Sequence, residues 1–208
     1  DGDLFGLISE VQLNPLEIHT IFSQVAGAVG FINEVGFVHR DLKPDNVLIQ
    51  QGFGTVRESY HVQLCDFGCA TEINNKEELF KVVGTLNYFP PESVDLYRES
   101  QRRSLKPKNE LKPYTVCSEV SCLLYLLATI TFSEVPHLDE DGQLIEEKRI
   151  KGGIGFSLED RIDPSSDYFK AYSPLCNFID NGLTPAETGA NKYPTVEAMM
   201  GDFNKLPK

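Results

Sequence analysis

No stretch of this 208-residue chain is apolar for anything near the ~20 residues that a membrane-spanning helix needs. The most apolar run, from Val120 to Ile130, is too short and reads as a buried helix. Positive charge is also scarce: 19 Lys and Arg stand against 31 Asp and Glu, for a net charge of -12 and a pI near 4.8. Phosphate backbones are bound by clustered cations, so this balance argues against nucleic acid as the main partner. Cysteine is sparse and odd in number, at five, without the spacing of a disulfide framework. That usage fits a reducing compartment, and a cytoplasmic or nuclear chain is expected. Cys65 and Cys69 form a C-x3-C pair, but no second pair or spaced histidines complete a zinc set, so both read as small packing residues. Internal repeats and low-complexity segments are missing as well. The chain opens on Asp1 rather than Met, from which an upstream segment is expected.

What is present is an ordinary globular composition, 41% hydrophobic and 24% charged, long enough for one sizeable domain. Asp1 to Ile8 reads as a short approach and helix. Asn14-Pro15-Leu16-Glu17 is a strong helix start: Asn14 can cap, Pro15 tolerates the first turn, and Glu17 has capping-box spacing. Ile18, Ile21, Phe22, Val25, Val29 and Ile32 fall on one helical face, and Gly36 is a natural stop. Val47-Leu48-Ile49 and Val62-Gln63-Leu64-Cys65 read as a hairpin-like strand pair around a Gly-containing connection. Val116 to Ile130 reads as a central buried helix. Helices are also expected around Phe178-Ile179 and from Val196 to Phe203, with Thr184-Pro185 and Tyr193-Pro194-Thr195 as punctuation. Residues 97–113, with Arg98, Arg102, Arg103, Lys106, Lys108 and Lys112, form a basic island that reads as an exposed loop.

The run His39-Arg40-Asp41-Leu42-Lys43-Pro44-Asp45-Asn46 places a carboxylate, an ammonium and an amide within six positions, and Asp66-Phe67-Gly68 begins twenty residues after Asn46. A single Asp or Asn in a loop is usually a turn former or cap. Jointly, in this order and separation, the two motifs resemble the catalytic loop and the Asp-Phe-Gly of the eukaryotic serine/threonine protein kinases. The resemblance implies a mainly α fold: a kinase-like C-terminal lobe over residues 1–208, with a short β-hairpin bearing the catalytic and Asp-Phe-Gly loops. It implies ATP and Mg²⁺ as cofactors, with Asp41 orienting the substrate hydroxyl and Lys43 beside the transferred phosphate. Asn46 and Asp66 would be the oxygen ligands of the metal. Asp1-Gly2-Asp3-Leu4-Phe5 resembles the end of the kinase hinge, where Asp3 would meet the ribose, and Cys65 would border the nucleotide pocket and face electrophiles there.

By the same resemblance, residues 66–92 are the activation segment, ending Gly84-Thr85-Leu86-Asn87-Tyr88-Phe89-Pro90-Pro91-Glu92, with Pro90 in place of the family's Ala. Thr85 resembles the substrate-pocket threonine, and Leu86 and Phe89 would favour an apolar residue after the phosphoacceptor. Asp45 and Asp3 resemble acids that face basic residues before the acceptor in a protein substrate. The family's Arg at position 40 pairs with a phosphorylated residue, yet no Ser, Thr or Tyr lies between Thr71 and Thr85. Glu77 or Glu78 is expected to pair with Arg40 instead.

Departures are also visible. The β-rich N-terminal lobe is absent, and with it the Gly-rich loop and the phosphate-pairing lysine, so the chain alone is expected to be inactive; an N-terminal lobe or regulatory partner would complete it. Aligning on Leu124-Tyr125 puts Val116 where the family has the Asp that holds the catalytic loop, with Glu119 as a substitute only if the register shifts. Tyr193 stands where the family has an Arg that pairs with the glutamate matching Glu92, leaving Lys192 to compensate. Two readings stay open: a serine/threonine kinase lobe, and a non-catalytic pseudokinase-like interaction module. A zinc or redox protein lacks supporting spacing.

Overall fold

The computed structural model describes residues 2–51, 60–101, 110–132, 165–183 and 192–207. Thr184-Pro185 and residues 102–109 of the basic island lie outside them. Helix α1 (Leu4–Glu10) starts where Asp3 accepts a hydrogen bond from the Gly6 amide at 2.7 Å. Helix α2 (Pro15–Glu34) starts on the expected capping box: Asn14 Oδ1 accepts from the Glu17 amide at 3.0 Å, and Glu17 returns a carboxylate to the Asn14 amide at 2.9 Å. Its apolar face, Ile18, Ile21, Phe22, Val25 and Val29, is buried, and Ile32 is half-buried near the end. Gly36 ends the helix at φ +91°, a left-handed conformation that glycine adopts without a Cβ penalty.

Helix α3 (Pro91–Ser100) carries Val94 and Leu96 inward, and this buried face makes residues 97–100 of the basic island helical rather than loop. Helix α4 (Val116–Phe132) is the axis of the core: Leu123, Leu124, Tyr125, Leu126 and Leu127 are fully or almost fully buried on all sides. A helix apolar all round needs neighbours all round. They are α2, α5 (Asp167–Leu183) and α6 (Val196–Phe203), which starts on a Thr195 cap.

Two small sheets sit on the helical layer. The first has strand order β1-β3-β4, all antiparallel: β1 (Gly2–Asp3), β3 (Val47–Gln51) and β4 (Tyr60–Leu64), with Val47 opposite Leu64 and Asp3 opposite Leu48. The exposed edge of β4 is closed by one side chain. Gln24 of α2 donates to the Tyr60 carbonyl at 2.8 Å and accepts from the Val62 amide at 3.2 Å, so its amide group stands in for a further strand. The second sheet pairs β2 (Phe37–Val38) with β5 (Thr71–Glu72). Two-residue strands leave no periodic pattern, so the sequence did not announce this pair. It brings the two ends of the site, just after β2 and just before β5, side by side.

Candidate active site

Strand β2 delivers the chain to His39 and Arg40, both buried. Arg40 has φ 69°, a conformation that costs a non-glycine residue about 1 kcal/mol or more unless its surroundings fix it. They do so through Glu119. Its Oε1 accepts from the His39 and Arg40 amides, each at 3.0 Å, and from the Tyr114 hydroxyl at 3.0 Å. Its Oε2 lies 3.3 Å from Asn33 Nδ2. The carboxylate has no exposure to solvent. The expectation that Val116 occupies the loop-holding position is therefore corrected: the anion comes from Glu119, one helical turn further along α4 and facing the same way.

Past Arg40, four polar side chains meet. Asp41 Oδ2 lies 3.3 Å from Lys43 Nζ and accepts from Asn46 Nδ2 at 3.1 Å. Asn46 Nδ2 also donates to the Asp41 carbonyl at 2.8 Å, so both the side chain and main chain of Asp41 are fixed from one amide. Lys43 Nζ donates to Thr85 Oγ1 at 2.9 Å, which ties the 39–46 loop to residue 85, near the far end of the 66–92 segment. Gly84 makes that approach possible. A Cβ there would lie 2.3 Å from the Arg40 carbonyl oxygen and 3.4 Å from Asp41 Oδ1. Among the described residues Asp41 Oδ1 itself is buried with no hydrogen-bond partner. A buried acceptor left open is costly, so this atom is a ready receptor for an incoming donor.

Asp66 joins the group through the main chain. The Cys65 amide donates to the Asn46 carbonyl at 3.0 Å, His39 Nε2 lies 3.0 Å from the Cys65 carbonyl, and the Phe67 ring centroid is 5.0 Å from that of His39. Asp66 is held at φ 58° and accepts from the Gly68 amide through Oδ1 at 3.2 Å. Its carboxylate is exposed and follows directly on the residue bonded to the Asn46 main chain, while Asn46 Nδ2 is committed to Asp41. One carboxylate and one amide oxygen suit Mg²⁺ when a phosphate and water supply the other ligands. Among the described residues no cluster of three or more His, Cys, Asp or Glu is placed to hold a metal ion.

Asp3 is not part of the Asp41 group. It lies on the open face of the three-stranded sheet, in a groove of about 540 Å³ lined also by Leu48, Gln50, His61 and Gln63. Leu48 is exposed directly opposite Asp3 and was missed as a site residue, since one leucine in an apolar strand looks like core. Burial, then the charges of Asp66 and Asp3, push the Cys65 thiol up. The thiol therefore stays protonated at neutral pH, which weakens the expectation of reaction with electrophiles.

The family model described as "Protein kinase domain" matches residues 1–157, most of the chain. The chain belongs to the protein kinase family. It is 35% identical over 104 residues to the Citron rho-interacting kinase of Rattus norvegicus, covering 49% of this chain and 5% of that protein. It is 31% identical over 153 residues to the Probable serine/threonine-protein kinase gdt4 of Dictyostelium discoideum, covering 74% of this chain and 8% of that protein. This kinase-family chain thus spans only a small part of the length of these relatives.

Kinase membership makes the surroundings of Glu92 notable. Lys192 does not reach this carboxylate; it sits 5.0 Å above the Tyr193 ring. Tyr193 is buried and donates to Asp202 Oδ2 at 3.2 Å. Glu92 instead accepts from the Ser118 hydroxyl at the start of α4. A neutral donor compensates a carboxylate less than a guanidinium does, and burial pushes the Glu92 carboxyl above its usual range. A raised acid pKa favours the fold below the unfolded pKa and loses that contribution as pH rises through the folded value. Glu92→Gln is therefore expected to melt at or above wild type near pH 7.5, and the gap should shrink on titration toward pH 4.5. Thermal melts across that range check it; a variant destabilised equally at every pH would contradict the assignment.

Proposed function

We propose that this chain is the catalytic, C-terminal lobe of a serine/threonine protein kinase, and that it takes part in ATP-dependent phosphoryl transfer to protein hydroxyls. The observation that carries the reading is the meeting of Asp41, Lys43, Asn46 and Thr85 around an acceptor oxygen with no partner of its own. Both relatives named above are called kinases, and one is called a serine/threonine-protein kinase.

In this reading the nucleotide and its Mg²⁺ supply the phosphoryl group and neutralise its charge. The protein's part is placement. Asp41 Oδ1 accepts the hydrogen bond of the substrate hydroxyl and aims its oxygen. Its work is mainly alignment and electrostatics. Lys43, braced between Asp41 and Thr85, sets an ammonium beside the reacting phosphorus. Asn46 Oδ1 and Asp66 offer the oxygen ligands. Asp3 and Leu48, opposite each other on the open sheet face, offer a carboxylate for ribose hydroxyls and an apolar floor for a base, with Cys65 at its border. Exposed Asp45, and Asp3 beyond its capping bond, favour substrates with basic residues before the acceptor. Half-buried Leu86 favours an apolar residue after it. Phe89 contributes from beneath, since it is buried edge-on against Tyr97 at 6.4 Å.

These 208 residues include no Gly-rich strand pair or phosphate-pairing lysine to roof the cleft, so phosphate transfer by the chain alone is expected at background. Binding is the sharper test. A fluorescent ATP analogue, titrated at millimolar concentration, should bind only with Mg²⁺ present. Asp66→Asn should weaken binding about tenfold or more, while Asp41→Asn leaves it within twofold. Binding that ignores Mg²⁺, or no binding at all, would favour the pseudokinase-like interaction module. Robust transfer that depends on Asp41 would refute the expectation of inactivity.

A further inference from the structure

The side chain of Arg40 turns away from Asp41 into the activation segment, where it is almost wholly buried. Its Nε donates to the Cys69 carbonyl and its Nη1 to the Glu78 carbonyl, both at 2.6 Å. Glu78 Oε2 lies 3.8 Å from Nη2 and is about a third exposed. The two short bonds go to main-chain oxygens, which no change of side chain or modification removes. A second bond grips the same turn: the Tyr114 amide donates to the Leu79 carbonyl at 2.8 Å. The Tyr114 hydroxyl in turn donates to Glu119, the carboxylate that holds the Arg40 backbone. The chain of contacts is closed. Glu119 fixes Arg40, Arg40 holds Cys69 and Glu78, Leu79 is held by Tyr114, and Tyr114 returns to Glu119.

Apart from the buried Thr71, the sequence inside this clasp has no hydroxyl. From Glu72 to Gly84 it reads Glu-Ile-Asn-Asn-Lys-Glu-Glu-Leu-Phe-Lys-Val-Val-Gly. A phosphate therefore has no residue there to sit on, and the guanidinium that would receive it is already occupied.

We propose that residues 69–80 of the activation segment are held in place permanently, by main-chain hydrogen bonds from Arg40 and Tyr114, and that no phosphorylation closes this clasp. Arg40 and Tyr114 are positioning residues: they touch no substrate, and they set the path of the segment whose far end, Thr85, braces Lys43. The Glu78 carboxylate adds little, because a long and partly exposed ion pair contributes little. This refines the expected pairing with Glu78: the residue is right, but the decisive atom is its carbonyl oxygen. The proposal rests on the kinase reading only for what the clasp positions. Its test measures segment order and is independent of nucleotide binding, so either can fail alone.

The test is amide hydrogen exchange of the whole chain, before and after treatment with a broad-specificity phosphatase. Peptides covering 69–84 should exchange at the same rate in both samples. Glu78→Gln should raise that rate no more than about twofold, and Arg40→Met should raise it about tenfold or more. If Arg40→Met fails to fold, Arg40→Lys decides, since it keeps the charge but cannot span both carbonyls. It should loosen 69–84 while peptides from α2 and α4 keep their protection. Exchange in 69–84 that rises on phosphatase treatment, or that stays unchanged in Arg40→Lys, would overturn the proposal.

Discussion

Replacing Glu119 by alanine should lower the thermal midpoint by about 10 °C or more, the largest effect expected of any single polar substitution among the described residues. The carboxylate accepts from two backbone amides and a tyrosine hydroxyl in a place without solvent. Removing it strands those donors and leaves a hole in α4's packing. Truncating one side of a fully buried charged network typically costs about 3–5 kcal/mol. The strain at Arg40 adds to this, because its left-handed conformation is held by that same oxygen. Glu119→Gln gives the internal control. Its carbonyl oxygen can still accept from the His39 and Arg40 amides, while its NH₂ meets Asn33 Nδ2, another donor. A loss of about 1–2 kcal/mol is expected for it. If alanine and glutamine melt together, or alanine melts within 2 °C of wild type, Glu119 is not the anchor of the loop.

The sequence revealed the parts of this site that depend on residue type at fixed local spacing. The capping box at Asn14 and Glu17, the inward face of α2 and the stop at Gly36 follow from local rules, and the structure has each. The Asp41–Asn46 run could be read because its residues touch within one tight loop. The sequence was a poor guide where a contact joins distant elements. Glu119 and Arg40 are 79 positions apart, and only packing of α4 under the loop tells which carboxylate arrives. A three-residue misalignment in an apolar helix changes little in hydrophobic pattern, so Val116 looked as acceptable as Glu119. Lys192 failed as Glu92's partner for a related reason. An exposed ammonium gains as much over an aromatic face as beside a half-buried carboxyl, and Ser118 already occupied that carboxyl. Leu48 was missed because burial, not residue type, marks it: it is an exposed leucine on a strand whose neighbours Val47 and Ile49 are buried.

Gly84→Ala carries the second large expectation. Two costs can be separated here, because the chain offers two glycines with almost the same positive φ. Gly36 has φ +91° and no atom within 4 Å of an added Cβ; Gly84 has φ +98° and an Arg40 carbonyl 2.3 Å away. Alanine at Gly36 should pay only for its conformation, about 1 kcal/mol. Alanine at Gly84 pays that and must also push apart two backbones, neither of which can yield cheaply. The Arg40 residue is pinned through its amide by Glu119, and Gly84 precedes the threonine bonded to Lys43. The segment is the softer partner, so it should move, and Thr85 should leave Lys43. Gly84→Ala is then expected to lose about 2–3 kcal/mol and to raise hydrogen exchange across 80–90, while Gly36→Ala leaves that region unchanged. In a protein that completes the cleft, displacing Thr85 by about 1 Å should cost transfer about a hundredfold. Equal stability losses at the two glycines would mean that the close approach between catalytic loop and activation segment contributes nothing, and the placement of Lys43 would need another cause.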